Sequence, residues 1–140
     1  ALVYIVNSFL AFVGAHINAD LSIELFLGYL FAPIAWLMGI PWSEAITAGE
    51  LLGLKTTLNE FVAYPALANI EDGILSEKSK LIAFYSLCGF ANFSSVGILI
   101  SGIGAMAPER KGDLIKVSFK ALIAATLASC MTGLVVGIFI

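Results

Sequence analysis

The chain has 140 residues, of which 60% are hydrophobic and 12% charged, with a formal net charge of -3; its mean hydropathy is +1.00. A soluble domain is about 45–50% apolar and about 25% charged, so lipid must be the main solvent for this chain. That excludes a soluble enzyme, a disordered tail, and a nucleic-acid binder, which would need a basic stripe for phosphates.

A helix needs about 20 residues to cross the hydrocarbon, so this length allows five or six membrane segments at most. The sequence begins inside an apolar run, without an initiator Met or a basic leader, and reads as part of a larger protein. Residues 1–17 carry no formal charge and predict a transmembrane helix, with Asn7, Ser8 and His16 as its polar marks and 18–20 ending it at an interface. Residues 21–40 predict an interfacial helix. Asp20, Ser22 and Glu24 crowd its start, which suits a helix N-terminus. Tyr29 and Trp36 are interfacial aromatics, and Pro33 is expected to kink or split the helix.

Pro41 and Trp42 open a new element, with Ser43 as its expected N-cap. Residues 43–69 are mostly apolar yet hold Glu44, Glu50, Lys55 and Glu60. Gly53 followed by Thr56 and Thr57 predicts a turn and a new helix start, and Thr57-Leu58-Asn59-Glu60 fits a capping box. Two arms of about twelve residues, each too short to span, imply a re-entrant hairpin with its tip at membrane depth. Irregular backbone survives there only against protein or a watery cavity.

Residues 71–80 form a polar loop. The uncharged stretch 81–107 has a poor helix former at its centre, where Gly89 and Gly97 bracket Asn92, Ser94 and Ser95; this predicts an unwound or kinked span. Residues 108–120 are the basic loop, and 121–140 the last span. Four of the seven basic residues, Arg110, Lys111, Lys116 and Lys120, lie in that loop. It is therefore expected on the cytoplasmic side, with 71–80 and the C-terminus outside.

Glu60 is the leading candidate for function, because a carboxylate at membrane depth is costly and by default contacts a substrate or ion. The bland alternatives are the capping box and a pair with Lys55. Asn92 and Ser95 share a helix face if the turn stays helical. Both can donate and accept, which suits a neutral polyhydroxylated solute; otherwise they are helix–helix glue. Phe90 could stack on a ring or simply pack. Lys55 is expected to snorkel or to pair with a glutamate, and His16 to sit at an interface. Asn92-Phe93-Ser94 matches a glycosylation sequon at a mid-membrane position unsuited to a glycan. Cys88 and Cys130 read as small packing residues, with no metal site or disulfide implied. Ala121, Ala125, Ser129, Gly133 and Gly137 form a small-residue stripe, and Gly49 and Gly53 a GxxxG pair; both predict close helix packing. Hydrolase, protease and nucleotide-binding motifs are absent, so no enzyme is expected.

A broken hairpin followed by a broken helix is the plan of a secondary-transporter half. Gly53-Leu54-Lys55-Thr56-Thr57-Leu58-Asn59-Glu60-Phe61-Val62-Ala63-Tyr64 closely resembles the GxKxxxNEFVAY signature of concentrative nucleoside transporters. Cys88-Gly89-Phe90-Ala91-Asn92-Phe93-Ser94-Ser95 is similar to that family's CGFANxSS signature, and Gly104-Ala105-Met106-Ala107-Pro108-Glu109-Arg110 continues it. The run from Pro33 to Ser43 resembles the segment before the family's hairpin.

The resemblance implies an all-α integral membrane fold that forms the second of two inverted repeats. It implies a scaffold helix at 1–19, an interfacial helix at 20–41 and half of a transport domain at 42–140. Within that half it places a hairpin at 43–69, a broken helix at 77–107 and a last helix at 113–140. It implies ion-coupled nucleoside uptake by a homotrimer in the plasma (inner) membrane. Glu60, Asn92 and Ser95 would hold the sugar and Phe90 would lie near the substrate. The coupling Na+ or H+ would bind in the first repeat, outside these residues. Two rivals remain: a secondary transporter for another polar solute, and a non-transporting assembly subunit.

Overall fold

The computed structural model describes residues 2–17 and 21–140. The predicted end of the first helix at 18–20, and the contribution of Asp20 to the next, lie outside the described residues. The described chain is all-helical, with only one isolated bridge, between Asp72 and Leu75, in the connecting loop. Seven α-helices run in order: α1 (Leu2–Ile17), α2 (Ile23–Leu37), α3 (Trp42–Thr57), α4 (Glu60–Ala68), α5 (Glu77–Ser86), α6 (Phe93–Met106) and α7 (Lys111–Phe139). A short 3-10 turn, Pro108–Arg110, leads into α7. Together they make a helical segment of 32 residues with a mean hydropathy of 2.1 in its most apolar stretch, long and apolar enough to cross a bilayer. The apolar helix α1 has 16 described residues, about 24 Å of rise.

Pro33 does not split α2, which runs as one helix from Ile23 to Leu37. The turn comes later, where Gly39 takes φ +98°, a conformation that a side chain would disfavour. The axes of α2 and α3 differ by 119° across this turn. Trp36 and Trp42, both exposed, meet edge to face there with centroids 6.4 Å apart. Ser43 is not the cap of α3. Pro41 holds that position without a side-chain hydrogen bond, since its fixed φ already suits a helix entry.

The α2–α3 crossing is built on small residues. A Cβ on Gly49 would lie 2.9 Å from the Ala32 nitrogen and closer still to the Gly28 carbonyl, and one on Gly53 would meet Leu27. The GxxxG pair therefore packs as expected, letting two backbones approach where lipid supplies no hydrophobic drive. That packing also keeps α3 helical through Gly53, so the expected turn there does not occur. The break falls at Leu58 and Asn59 instead.

Of the small-residue stripe of α7, Gly133 and Gly137 pack on α5, whereas Ala121 and Ala125 are exposed. A Cβ on Gly133 would lie 2.6 Å from the Ile82 carbonyl, and one on Gly137 2.8 Å from the Ile82 side chain. The core runs through these interfaces, from Ala32, Ala35 and Met38 through Ala45, Ala48 and Leu52 to Ile82, Leu87 and Cys130. Around it lies extensive exposed apolar surface, including Tyr4, Phe61, Phe90, Met106 and Phe139. A soluble monomer would not tolerate this. Helix α1 is fastened by a polar clasp. Asn7 Nδ2 donates to both Glu24 carboxylate oxygens at 2.8 and 3.1 Å, and Asn7 Oδ1 accepts from the Ile23 amide at 2.9 Å. Outside the breaks, the Ser76 amide and hydroxyl both donate to Glu44 Oε2 at 3.0 Å, tying the start of α5 to the start of α3.

Candidate substrate-binding site

Two interruptions of helix meet in the folded chain. The first, between α3 and α4, is capped by Asn59, whose Oδ1 accepts from the Val62 amide at 3.1 Å. This corrects the capping-box expectation. With Asn59 as N-cap, Glu60 is the first helical residue and cannot reach back as the third would. Its carboxylate points away from its own turn and towards the second interruption.

That second break separates α5 from α6, as the glycine, Asn and Ser pattern predicts. Asn92 is the N-cap of α6. Its Oδ1 accepts from the Ser95 amide at 2.7 Å and from the Ser95 hydroxyl at 2.8 Å. Its Nδ2 donates to Glu60 Oε2 at 3.1 Å. The chain of bonds is directional: the Ser95 proton is committed to Asn92, and an Asn92 proton to Glu60. Asn92 is 1% exposed and Glu60 8%. The carboxylate lies at the first turn of α4 and bonds the N-cap of α6, so the partial positive charges of two helix starts favour it.

Glu60 Oε1 has no hydrogen-bond partner, and is the one fully buried side-chain oxygen or nitrogen of which this is true among the described residues. A buried carboxylate oxygen left unpaired is expensive. The arrangement therefore presents an unused acceptor on Glu60, a second N–H on Asn92, and the lone pairs of the Ser95 hydroxyl.

Three of the four residues singled out from sequence thus form one cluster. Phe90 is 73% exposed. With Ser95 it borders a groove of about 220 Å³ between α6 and α7, whose walls include Val96, Leu99, Leu122 and Ala125. Ser94 is exposed and outside the cluster. His16 bonds the Phe12 carbonyl within its own helix.

Lys55 behaves differently from either expectation. It is 1% exposed, so it does not snorkel. The ion pairs among the described residues are Lys80 with Asp72 and Glu77, and Arg110 with Asp113, so Lys55 is not paired with a glutamate either. Its Nζ donates to the Ser86 carbonyl at the end of α5, at 3.0 Å. The Tyr64 hydroxyl, which sequence reasoning did not single out, donates to the neighbouring Phe84 carbonyl at 3.3 Å. A contact across thirty-odd positions between an ammonium and a main-chain carbonyl leaves no mark on local sequence.

Interrupted helices whose breaks meet around buried polar groups define an all-helical membrane protein of the broken-helix transporter type. The chain belongs to the concentrative nucleoside transporter family: residues 1–137 match the family described as Na+ dependent nucleoside transporter C-terminus. It is 46% identical over 124 residues to Nucleoside permease NupC of Helicobacter pylori, covering 86% of this chain and 30% of that protein. It is 40% identical over 153 residues to Solute carrier family 28 member 3 of Mus musculus, covering 99% of this chain and 22% of that one. Among solved structures, CNTnw in an inward-facing substrate-bound state matches with a TM-score of 0.89 and 38% identity, over 99% of this chain and 34% of that chain. The chain thus spans about a third or less of the length of the curated relatives it matches.

Proposed function

We propose that this chain is one inverted repeat of a concentrative nucleoside transporter and supplies the sugar-binding half of its substrate site. The observation that carries the reading is the unpartnered Glu60 Oε1, buried beside Asn92 and Ser95. One ribose hydroxyl donates to Oε1. A second exchange runs from Asn92 Nδ2 to a sugar oxygen, and from a sugar hydroxyl to Ser95 Oγ. Phe90 offers a ring edge or face at the rim. The relatives named for nucleosides support the choice of solute.

The remaining assignments follow the family plan. The transporter is a homotrimer in the plasma (inner) membrane, with α3 and α4 as a re-entrant hairpin entering from outside. Na+ or H+ drives uptake from a site in the other repeat. The basic segment 108–120, which the sequence suggested as a loop but which forms the 3-10 turn and the first turns of α7, faces the cytoplasm, and the C-terminus lies outside.

The test is a set of binding measurements on the full-length transporter carrying this sequence, using ribonucleosides and their deoxy analogues. A hydrogen bond to a charged group contributes about 1.5–3 kcal/mol net, against about 0.5–1.5 kcal/mol for a neutral one. Glu60→Gln is expected to weaken binding by about tenfold to a hundredfold, and Ser95→Ala by less. Each substitution should matter little for the analogue that lacks the contacted hydroxyl. Equal losses for every ligand, tracking thermal stability, would leave these residues as structural glue and remove the reading.

A further inference from the structure

Lys55 and Glu60 stand on opposite sides of the α3–α4 break, and Ser86 and Asn92 on opposite sides of the α5–α6 break. Two bonds join the pairs: Lys55 Nζ to the Ser86 carbonyl at 3.0 Å, and Asn92 Nδ2 to Glu60 Oε2 at 3.1 Å. The result is a closed ring with two non-helical linkers as its sides and two hydrogen bonds as its ends. The charges match the ends they meet. A cation faces the C-terminal carbonyls of α5, and an anion faces the capped start of α6, each the favourable sign for that helix terminus.

Burying an ammonium is costly unless it is hydrogen-bonded or paired. Here it supplies the donor that the last carbonyl of α5 lacks once the helix stops, between two residues closed off from solvent. Tyr64, from the other arm, serves the carbonyl before last but one of the same turn. The amides of Leu87 and Cys88 serve Ala83 and Tyr85. Gly89 keeps the break thin enough for this: a Cβ there would lie 3.8 Å from Lys55 Nζ and would collide with the Ser129 hydroxyl. With the Lys55 end of the ring opened, the C-terminal end of α5 loses the hydrogen bond that ties it to α3 beside the Glu60–Asn92 contact.

We infer that Lys55 is a positioning residue for the sugar site, holding the end of α5 so that Glu60 and Asn92 stay in register for the substrate. This rests on the nucleoside-site reading above. The measurement is nucleoside affinity of the full-length transporter in a double-mutant cycle of Lys55→Met and Glu60→Gln, with ligand-free thermal unfolding recorded for each. Lys55→Met is expected to weaken binding about tenfold in the wild-type background, the scale of one hydrogen bond's contribution. In the Glu60→Gln background it should cost less than about twofold, because the contact it positions is already lost.

Equal losses in both backgrounds would overturn the inference and leave Lys55 as general scaffolding. So would undiminished affinity in a folded Lys55→Met protein. An unaffected Glu60→Gln protein would instead overturn the sugar-site reading itself, and the Lys55 inference with it. Should Lys55→Met not accumulate, Tyr64→Phe takes its place in the same cycle. There the expected loss is about threefold, again confined to the wild-type background, and the same additive outcome would overturn the inference.

Discussion

Asn92 does two jobs that a pair of substitutions can separate. Its Oδ1 caps α6, accepting from the Ser95 amide at 2.7 Å, while its Nδ2 holds Glu60 at 3.1 Å. Alanine removes both. Loss of the cap costs about 0.5–2 kcal/mol, and leaving Glu60 without its charge-assisted bond about 1.5–3 kcal/mol. The expected destabilisation of Asn92→Ala is therefore about 2–5 kcal/mol. Serine caps a helix about as well as asparagine, but is too short to reach the carboxylate. Asn92→Ser should recover about 1 kcal/mol of the stability and none of the nucleoside affinity, which both variants lose by about tenfold or more. Thermal unfolding in detergent and equilibrium nucleoside binding, run on the same preparations, separate the two quantities. If serine restored affinity in step with stability, Asn92 would act only through the cap. The Glu60–Asn92 bond would then have no part in recognition.

Gly49→Ala should destabilise by about 1–3 kcal/mol, because its new methyl would meet the Gly28 and Ala32 backbone; Gly112→Ala, helical and with nothing within 4 Å, should cost nothing or stabilise by up to about 1 kcal/mol in the same unfolding assay. Impermeant labelling of single-cysteine variants should modify Ser76→Cys and spare Ser118→Cys from outside, and the reverse pattern would refute the orientation. Residues 1–140 reconstituted alone in liposomes should show no ion-driven nucleoside accumulation, since the plan requires a second hairpin and a second broken helix.

The second break was legible because its signals are local. Gly89 is a poor helix former, and Asn92 is a cap three residues before the amide it bonds. The first break was misplaced for the opposite reason. Gly53 looks like a turn, but in a membrane helix a glycine serves packing as readily, and here it admits Leu27. The true break at Leu58 is an apolar residue with no turn signature, and only Asn59 beside it carried a usable hint. The split that Pro33 offered does not occur: α2 runs through it to Leu37, and Gly39 makes the turn. Within the site, the meeting of Glu60 with Asn92 came from resemblance alone, because no periodicity joins residues on different elements. The engagement of Lys55 could not be read at all, since its partner is a main-chain oxygen that every residue possesses.

The sequon Asn92-Phe93-Ser94 acquires a practical meaning from the cap. In the folded chain the amide nitrogen that a glycan would occupy is buried and bonded to Glu60. An oligosaccharide can reach it only on a copy whose second break has never docked against the first and stands clear of the bilayer on the lumenal side. Produced in a eukaryotic secretory pathway, the protein would carry its own quality tag. A heavier, endoglycosidase-sensitive band would mark the copies misinserted in that way, without any purification.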